Sequence, residues 1–487
     1  MKADSVKKNM LFQFAYQAIM LFIPLIISPY LTRRLGETSL GIYTYTYSIA
    51  YYFVMFSMLG IAKYGQRIIA SRRQDSISLR RTFWSLFSLH ILISILSVVV
   101  YIIFCVFVFK DTKNIYYAQT LYVLSAMFDI VWFFYGIEQF KIVVIRNTIV
   151  KILELLLIFT LVKTKDDILT YTLIMAGSVL AAQICVLPSV VKFVPPIKFA
   201  LSDMKEHFKP MLVLSIAVIA IGLYTVFDKT LLGILASKED VAFYEYSNRI
   251  ISLPKTFIGV IGTVLFPRAC NCIANNDFSQ AKKYYKYSLS AVYFIGIGSI
   301  FGIIAVADLL SVVYYGEAFY ICGNVMKAMV PLVLIIGVGE IVRLQFLIPL
   351  KKDALYTIGI IINAVINIAI SVFLIPKVGI YGAILGTISA EMFGLLFQGY
   401  LVKQYIDIKN TLLTAVPFVI SGSIMLLTIE AIKLFYNSTV IHLSIQVVVG
   451  ALAYVISLVI LLLTISVDKE SNREIINSII RKKKLDA

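Results

Sequence analysis

Residues 24–73 read PLIISPYLTRRLGETSLGIYTYTYSIAYYFVMFSMLGIAKYGQRIIASRR. One apolar segment ends in a short turn that carries Arg33 and Arg34, and a second apolar segment leads to a basic stretch that ends at Arg73. About 20 apolar residues suffice for a helix to cross a bilayer. The pattern predicts a helix that leaves the membrane, a tight turn, and a helix that returns to a basic face.

A similar unit recurs roughly 201 residues further along the chain. Residues 40–45, LGIYTY, align with residues 241–246, VAFYEY, and Arg67 aligns with Arg268. A repeated hairpin predicts two similar halves. Transporters are often built from such repeats, with the substrate held between them.

The composition is that of a membrane protein. Hydrophobic residues make up 60% of the 487 residues and charged residues 15%, whereas a soluble domain is nearer half apolar and a quarter charged. The sequence therefore predicts an all-α polytopic membrane protein with about fourteen transmembrane helices, because a β-barrel would show short alternating strands instead. The predicted span cores are residues 10–31, 41–61, 83–109, 116–136, 143–162, 168–191, 210–235, 242–266, 285–307, 321–349, 354–375, 380–402, 411–435 and 441–466.

Lysine and arginine gather in alternate loops. One face carries roughly 31 of them and the other about 9, a bias that marks the first face as cytoplasmic. Both termini are predicted to lie on that face. The net charge of +17 then faces anionic lipid head groups. No soluble basic domain is present to bind nucleic acid.

The loop around residues 192–209 is the natural boundary between the halves. We expect an N-terminal lobe of spans one to six over residues 1–200 and a C-terminal lobe of spans seven to twelve over residues 201–409. Residues 410–487 hold an appended helix pair and a basic tail. The segment 201–208 is expected to be an interfacial helix with Met204, Phe208 and Met211 on one face, and Pro331 is expected to bend span ten.

Motifs of catalysis are missing from the sequence. The chain contains no Gly-Lys dipeptide and so no Walker A loop, and it has neither His-Glu-x-x-His nor Gly-x-Ser-x-Gly. No metal-ligand spacing is present. We predict that the protein is not an enzyme and carries no cofactor or metal, apart from a coupling proton or Na⁺.

Charged residues inside predicted spans are candidates for function, because each costs at least ~2.5 kcal/mol to insert unless it has a partner or a cavity. Asp228 and Lys229 lie in span seven, and Arg249 lies in span eight, one turn after Glu245. A structural ion pair and a functional site are both open interpretations for these residues. The other polar residues at depth are Asp129, Glu154, Glu340, Arg343, Asn363, Asn367 and Glu391.

Several stretches resemble Wzx-type polysaccharide flippases. The first is 28–43, with Ser28-Pro29-Tyr30-Leu31, Leu35-Gly36 and Gly41-Ile42-Tyr43, and the second is 128–140, FDIVWFFYGIEQF. In the second half, Asp228-Lys229, Phe243-Tyr244, Arg249-Ile250 and Leu265-Phe266-Pro267-Arg268 look like the family's corresponding region. The likeness covers spans one to eight well and the remaining spans only by hydropathy.

The resemblance implies membership of the multidrug/oligosaccharidyl-lipid/polysaccharide (MOP) exporter superfamily, which includes the MATE transporters. The implied fold is two pseudo-symmetric six-helix lobes around a central cavity. The implied function is transfer of undecaprenyl-pyrophosphate-linked oligosaccharide units across the cytoplasmic membrane for capsule, O-antigen or exopolysaccharide synthesis. Polysaccharide polymerase machinery is an implied partner. Many members have twelve spans, and the extra pair is similar to the fourteen-span lipid II flippases.

On this interpretation a cationic cavity holds the pyrophosphate, since the guanidinium fork suits phosphate. We predict Arg33, Arg34, Lys229 and Arg249 as substrate-binding residues and Asp228 and Asp129 as ion-coupling residues. A lipid II flippase and a MATE-type drug/cation antiporter are alternatives within the superfamily. A membrane polymerase or ligase is the alternative from another class, although the short outer loops disfavour it.

Overall fold

A computed structural model describes residues 3–108, 112–434 and 440–464. The predicted basic tail, which includes Lys482, lies outside these residues. In the described part of the chain every regular element is helical, as the composition predicted. Its α-helices are α1 (Ala3–Met58), α2 (Ile61–Arg72), α3 (Ser76–Val108), α4 (Lys113–Met127), α5 (Val131–Gly136), α6 (Phe140–Leu161), α7 (Ile168–Phe193), α8 (Leu201–Leu235), α9 (Lys238–Ala274), α10 (Phe278–Leu310), α11 (Ile321–Met329), α12 (Pro331–Val342), α13 (Asp353–Val378), α14 (Ile380–Leu401), α15 (Ile408–Lys433) and α16 (Val440–Thr464).

Eleven helical stretches in the described part of the chain are long and apolar enough to cross a membrane. The prediction of a multi-pass, all-helical membrane protein is therefore confirmed, whereas the number of fourteen spans stays a prediction. Helix α6 is not among the eleven, and it carries Lys141, Arg146, Lys151 and Glu154 within its 22 residues.

The predicted turn in residues 24–73 falls at Gly36. Its φ of +72° and ψ of 179° interrupt the helical path of α1, and the left-handed region is one that glycine enters without a steric penalty. A second break was also predicted correctly. Helix α11 ends at Met329 and α12 begins at Pro331, because proline fits the first position of a helix but not its interior.

One predicted span is broken where no break was expected. The span that was predicted at 116–136 consists of α4 and the short α5, with Phe128–Ile130 between them. The predicted interfacial helix at 201–208 also differs from the observed element, because it is the continuous start of α8. Met204 and Met211 are buried, but Phe208 is 45% exposed.

The chain divides into two compact units, Met1–Glu245 and Tyr246–Ala487. In the first unit, α2, α3, α5 and α7 enclose an aromatic core. Phe83 stacks on Trp132 at 5.6 Å between ring centroids and meets Phe133 edge-on at 4.8 Å. Trp132 lies over Gly65 of α2, where no side chain would fit. The motif 128–140 thus holds α5 against α2.

In the second unit, α10 packs against α11, α12 and the α15–α16 pair. Helices α13 and α14 meet through Gly382 and Gly386, whose missing side chains admit the backbone of Ile375 and the Ser371 hydroxyl. Small residues in this i, i+4 spacing let two helices approach closely. The division into lobes of 1–200 and 201–409 remains a prediction.

Gly41 provides a test of this close packing, because it sits directly against the Lys238 carbonyl in the first unit. We expect Gly41→Ala to destabilise the protein by about 1–3 kcal/mol, as overpacking does. Gly177→Ala in α7 is the matched control, since a methyl group there meets no atom within 4 Å. Thermal unfolding of the detergent-purified variants measures the difference. Equal midpoints would contradict the packing argument.

Candidate functional site

Two polar bonds join α8 to α9 in the first unit. The Tyr244 hydroxyl donates to Asp228 Oδ2 over 2.8 Å, and Lys229 Nζ lies 2.7 Å from Glu245 Oε2. The adjacent pair on α8 therefore bonds the adjacent pair on α9. We call these four residues the α8–α9 bridge. The Tyr52 hydroxyl of α1 adds a bond of 2.8 Å to Thr230 Oγ1, so that α1 is attached to the same place.

The α8–α9 bridge is largely shielded from solvent. Asp228 is 6% exposed, and the side chains of Lys229 and Glu245 are 16% and 18% exposed. The Lys229 charge, predicted to bind an anion, is balanced by Glu245. The bond between Lys229 and Glu245 crosses from one helix to the next, and spacing along α9 alone could not predict it. An incoming anion would compete with the Glu245 carboxylate for this lysine.

A ladder of tyrosines lies beside this bridge and was not predicted as part of a site. Tyr43, Tyr47 and Tyr51 are spaced four residues apart on α1, with ring centroids 6.0 and 6.5 Å apart. Tyr47 also stacks on Tyr122 of α4 at 4.8 Å, and their hydroxyls are 3.1 Å apart. The Tyr47 hydroxyl is close enough to Lys229 to interact electrostatically. The four-residue spacing in TYTYSIAYY was the available signal.

Asp129 lies in the break between α4 and α5. Its Oδ1 accepts the Val131 N–H at 2.9 Å, and its carbonyl accepts the Trp132 indole N–H at 2.9 Å. The Asp129 side chain thus accepts the first N–H of α5. Arg146 of α6 is near enough to interact with this carboxylate, and it also donates to Gln183 of α7 at 3.1 Å.

Arg33 and Arg34 are exposed, one turn before the break at Gly36. Arg33 donates to the Pro29 carbonyl at 3.0 Å, and the Arg34 guanidinium lies 5.7 Å from the Tyr30 ring centroid. Their geometry resembles arginines that extend along a helix toward an aqueous interface. The structure does not group them with the α8–α9 bridge.

In the second unit, the Arg249 guanidinium lies over the Tyr246 ring, 4.4 Å from its centroid. Tyr314 and Tyr315 are within electrostatic range of the same guanidinium. These two tyrosines end a π-helical turn over Ser311–Tyr315, a feature that is frequent at functional sites. Arg249 therefore lies in an aromatic setting, as a phosphate-binding or sugar-binding arginine could.

Lys255 lies within the predicted eighth span but was not predicted as a site residue. It lies on α9 and donates to Asn248 Oδ1, two turns earlier on the helix, at 3.2 Å. Glu391 of α14 is near enough to interact with it electrostatically. Its position in the apolar run ISLPKTFIGV was the overlooked signal.

Other polar residues at depth form helix-to-helix or same-helix bonds. Glu340 pairs with Arg343, and Arg343 donates to the Tyr356 hydroxyl at 3.1 Å. Asn367 donates to Thr387 Oγ1 at 3.1 Å across the α13–α14 contact. Glu154 binds Lys151 at 2.7 Å. These bonds satisfy groups that would otherwise be costly inside a membrane.

A cavity of about 430 Å³ lies at the basic end of the first unit. It is lined by Arg73, Gln74, Leu79, Ile137, Gln139 and Phe193, none of which was predicted as a site residue. Within the described ranges, no three His, Cys, Asp or Glu residues are grouped as metal ligands would be.

Comparison with known proteins places the chain in context. Residues 6–271 match the sequence profile of a family described as Polysaccharide biosynthesis protein. A protein of Shigella dysenteriae that carries the name O-antigen transporter is 24% identical over 405 residues, which cover 82% of this chain and 100% of that protein. A second protein of that name, from Escherichia coli strain K12, is 21% identical over 348 residues, which cover 71% and 84%.

Two solved structures share the fold. The lipid II flippase MurJ, in an inward closed conformation, superposes with a TM-score of 0.74 at 16% identity, covering 92% of this chain and 97% of that one. An inward-facing multidrug resistance MATE family transporter of the MOP superfamily gives a TM-score of 0.57 at 11% identity, covering 87% and 96%.

The α8–α9 bridge predicts an asymmetry between single and double variants. Lys229→Met removes the cation from the nearly buried Glu245 carboxylate and should lower the free energy of unfolding by about 3–5 kcal/mol. Lys229→Met combined with Glu245→Gln should cost much less. The exposed Lys433–Glu430 pair, 2.7 Å apart, is the matched control, and Lys433→Met should cost about 0–1 kcal/mol. Thermal unfolding that ranks all three variants alike would refute a structural role for the bridge.

Proposed function

Because this chain belongs to the polysaccharide biosynthesis protein family, as its resemblance to Wzx-type flippases predicted, we propose that it moves undecaprenyl-pyrophosphate-linked oligosaccharide across the bacterial cytoplasmic membrane. Polymerisation into capsule, O-antigen or exopolysaccharide would follow on the outer side. The observation that carries the proposal is the presence, at membrane depth, of basic side chains set among tyrosines in a chain of this family.

The chemistry of these groups suits the substrate. Arg249 and Lys255 supply positive charge for a pyrophosphate, and the Arg249 guanidinium can make paired hydrogen bonds to it. The tyrosines around Tyr47 offer flat faces for sugar rings and hydroxyls for their polar edges. Lys229 joins this set when an anion displaces Glu245. Arg33 and Arg34 would meet the substrate at the outer interface.

The proposed mechanism is alternating access by all fourteen predicted spans. Lobes over residues 1–200 and 201–409 rock about a central cavity that holds the head group, while the lipid tail stays in the bilayer. Residues 410–487 form the appended pair and basic tail. Asp228 and Asp129 are the proposed coupling groups for a proton or Na⁺. The basic loops and both termini face the cytoplasm and its anionic lipids, and a polysaccharide polymerase is the proposed partner.

A lipid II flippase is the second candidate, and the fold likeness to MurJ favours it. The two candidates differ in the sugar, not in the lipid pyrophosphate. The names of the curated relatives favour the O-antigen type.

The leaflet distribution of the sugar-linked carrier distinguishes these functions. In cells without the gene, we expect carrier to accumulate on the inner leaflet and the wild-type chain to restore its outer arrival. If the carrier instead reaches the outer leaflet normally and unpolymerised units accumulate there, the protein is a polymerase or ligase and the flippase proposal is wrong. Accumulation of lipid II alone would favour the second candidate.

Arg249→Ala should lower outer-leaflet delivery by about 10- to 100-fold, the loss expected for a hydrogen bond to a charged group, at unchanged membrane abundance. Arg249→Lys should be intermediate, since it keeps the charge but loses the planar fork. Lys255→Gln should also reduce delivery. Lys433→Gln, at the end of α15, is the control and should be unaffected. If Arg249→Ala delivers carrier at the wild-type rate, this arginine does not bind substrate.

A further inference from the structure

Polar contacts join the basic ends of α2 and α3 to the first turns of α8, all within the first unit. Arg81 Nε lies 2.6 Å from Asp203 Oδ2, and an Arg72 nitrogen lies 3.2 Å from Glu206 Oε1. Arg72 also donates to Thr82 Oγ1 at 2.6 Å, which orients it toward α8. Arg72 and Arg81 belong to the basic residues that the charge bias assigned to one face, yet both bind acids on α8.

A buried histidine completes this contact. His207 is 1% exposed, and its Nδ1 lies 2.8 Å from the Tyr64 hydroxyl of α2. One turn further, Gly60 meets α8 so closely that an added Cβ would lie 2.8 Å from the Met211 carbonyl oxygen. The φ of +73° at Gly60 also favours glycine. The N-terminal part of α8 therefore packs closely against α2.

We propose that these contacts form a latch that closes the cytoplasmic face and must release before the lipid-linked sugar can enter. The latch comprises Arg72–Glu206, Arg81–Asp203 and Tyr64–His207, and the proposal rests on the flippase function above. Helix α8 opens the second predicted repeat, and the substrate of a two-repeat transporter enters between repeats. In this structure α8 nevertheless belongs to the first unit, where it packs on α1 as well as on α2 and α3.

The chemistry of the latch suits repeated release. Each latch ion pair has one well exposed side chain: Arg81 and Asp203 are 54% and 18% exposed, and Glu206 and Arg72 are 61% and 32% exposed. Water reaches such a pair, which keeps its net stabilisation small. Both members of the Lys229–Glu245 pair are shielded, at 16% and 18% exposed, and separating them costs more. The two ion pairs at the basic end of α8 can therefore exchange for water more readily than the pair near its other end.

The latch also responds to pH. Burial lowers the pKa of His207, and Arg72 acts in the same direction, while Glu206 and Asp203 oppose the shift. The closed latch therefore binds fewer protons than the open one. Its stability is fully present above the ordinary histidine pKa of about 6.5 and is lost as the pH falls below it. Asp203 stays ionised over this range, since the Arg81 guanidinium and the Ala200 N–H hold its pKa down.

The first test locks the latch. Arg81→Cys and Asp203→Cys are combined and joined with a short bifunctional methanethiosulfonate in inside-out membrane vesicles. These vesicles make the host's own lipid-linked sugar from radiolabelled nucleotide sugars. Cross-linking should lower the amount of radiolabelled lipid-linked sugar that reaches the vesicle lumen by at least about tenfold. Dithiothreitol, which reverses the cross-link, should restore that amount. Each single-cysteine variant with the same reagent is the control for Cys185, which is exposed. Undiminished transport by the cross-linked protein would overturn the proposal.

A second measurement does not need transport. Ser215, 1% exposed beneath Gly60, is replaced in Ser215→Cys and labelled from the cytoplasmic face with an impermeant maleimide. Arg72→Ala with Arg81→Ala should raise the labelling rate about three- to tenfold. At pH 5.5 the labelling rate of Ser215→Cys, divided by that of free cysteine at the same pH, should rise. His207→Gln should remove that rise. A labelling rate that changes neither with the arginine substitutions nor with pH refutes the latch. A wild-type chain that labels as expected but moves no lipid refutes the flippase function alone.

Discussion

An ionised side chain inside a bilayer is stable only when a counter-charge or a hydrogen-bond network accompanies it. The α8–α9 bridge meets that constraint with two bonds between neighbouring helices, one charged and one between a tyrosine and a carboxylate. Tyr52 attaches α1 to the same level of α8. The pairing of Lys229 with Glu245 and the bond from Tyr244 to Asp228 together set which face of α8 meets α9. The rest of the first unit is arranged around helices held in this register.

Local chemistry made some of the fold predictable from sequence. Gly36 and Pro331 interrupt helices because their backbone preferences act without reference to tertiary contacts. The pair Glu340–Arg343 and the close contact at Gly382 were likewise predictable, since helical spacing or residue size alone specifies them. Hydropathy gave the membrane class for the same reason, because it sums over each segment separately.

The parts that could not be predicted depend on which helices become neighbours. Glu245 has a cation one turn away on its own helix, and only the tertiary structure brings Lys229 to it. The break at Asp129 follows from packing of the aromatic motif on Gly65, a contact invisible to periodicity. Phe208 was predicted to lie with Met204 and Met211 on one face of an interfacial helix, whereas in the continuous α8 it is exposed and the neighbouring His207 is buried against α2. The roles of Arg33, Arg34 and Arg249 depend on a substrate and stay predictions.

One contact joins two residues at equivalent positions of the predicted internal repeat. Thr38 Oγ1 donates to Glu239 Oε1 over 2.6 Å, and these two residues are 201 positions apart, the offset of the repeat. Residues that share a repeat position can touch only near an axis that relates the two copies. Gly41 packs on the Lys238 carbonyl at the same end of α1 and α9, so the copies meet there through backbone. The ion pair of Arg81 and Asp203 joins helices at the basic end. If the repeats move against one another, the backbone contact is the natural pivot, and the largest displacement falls where exposed charges can separate.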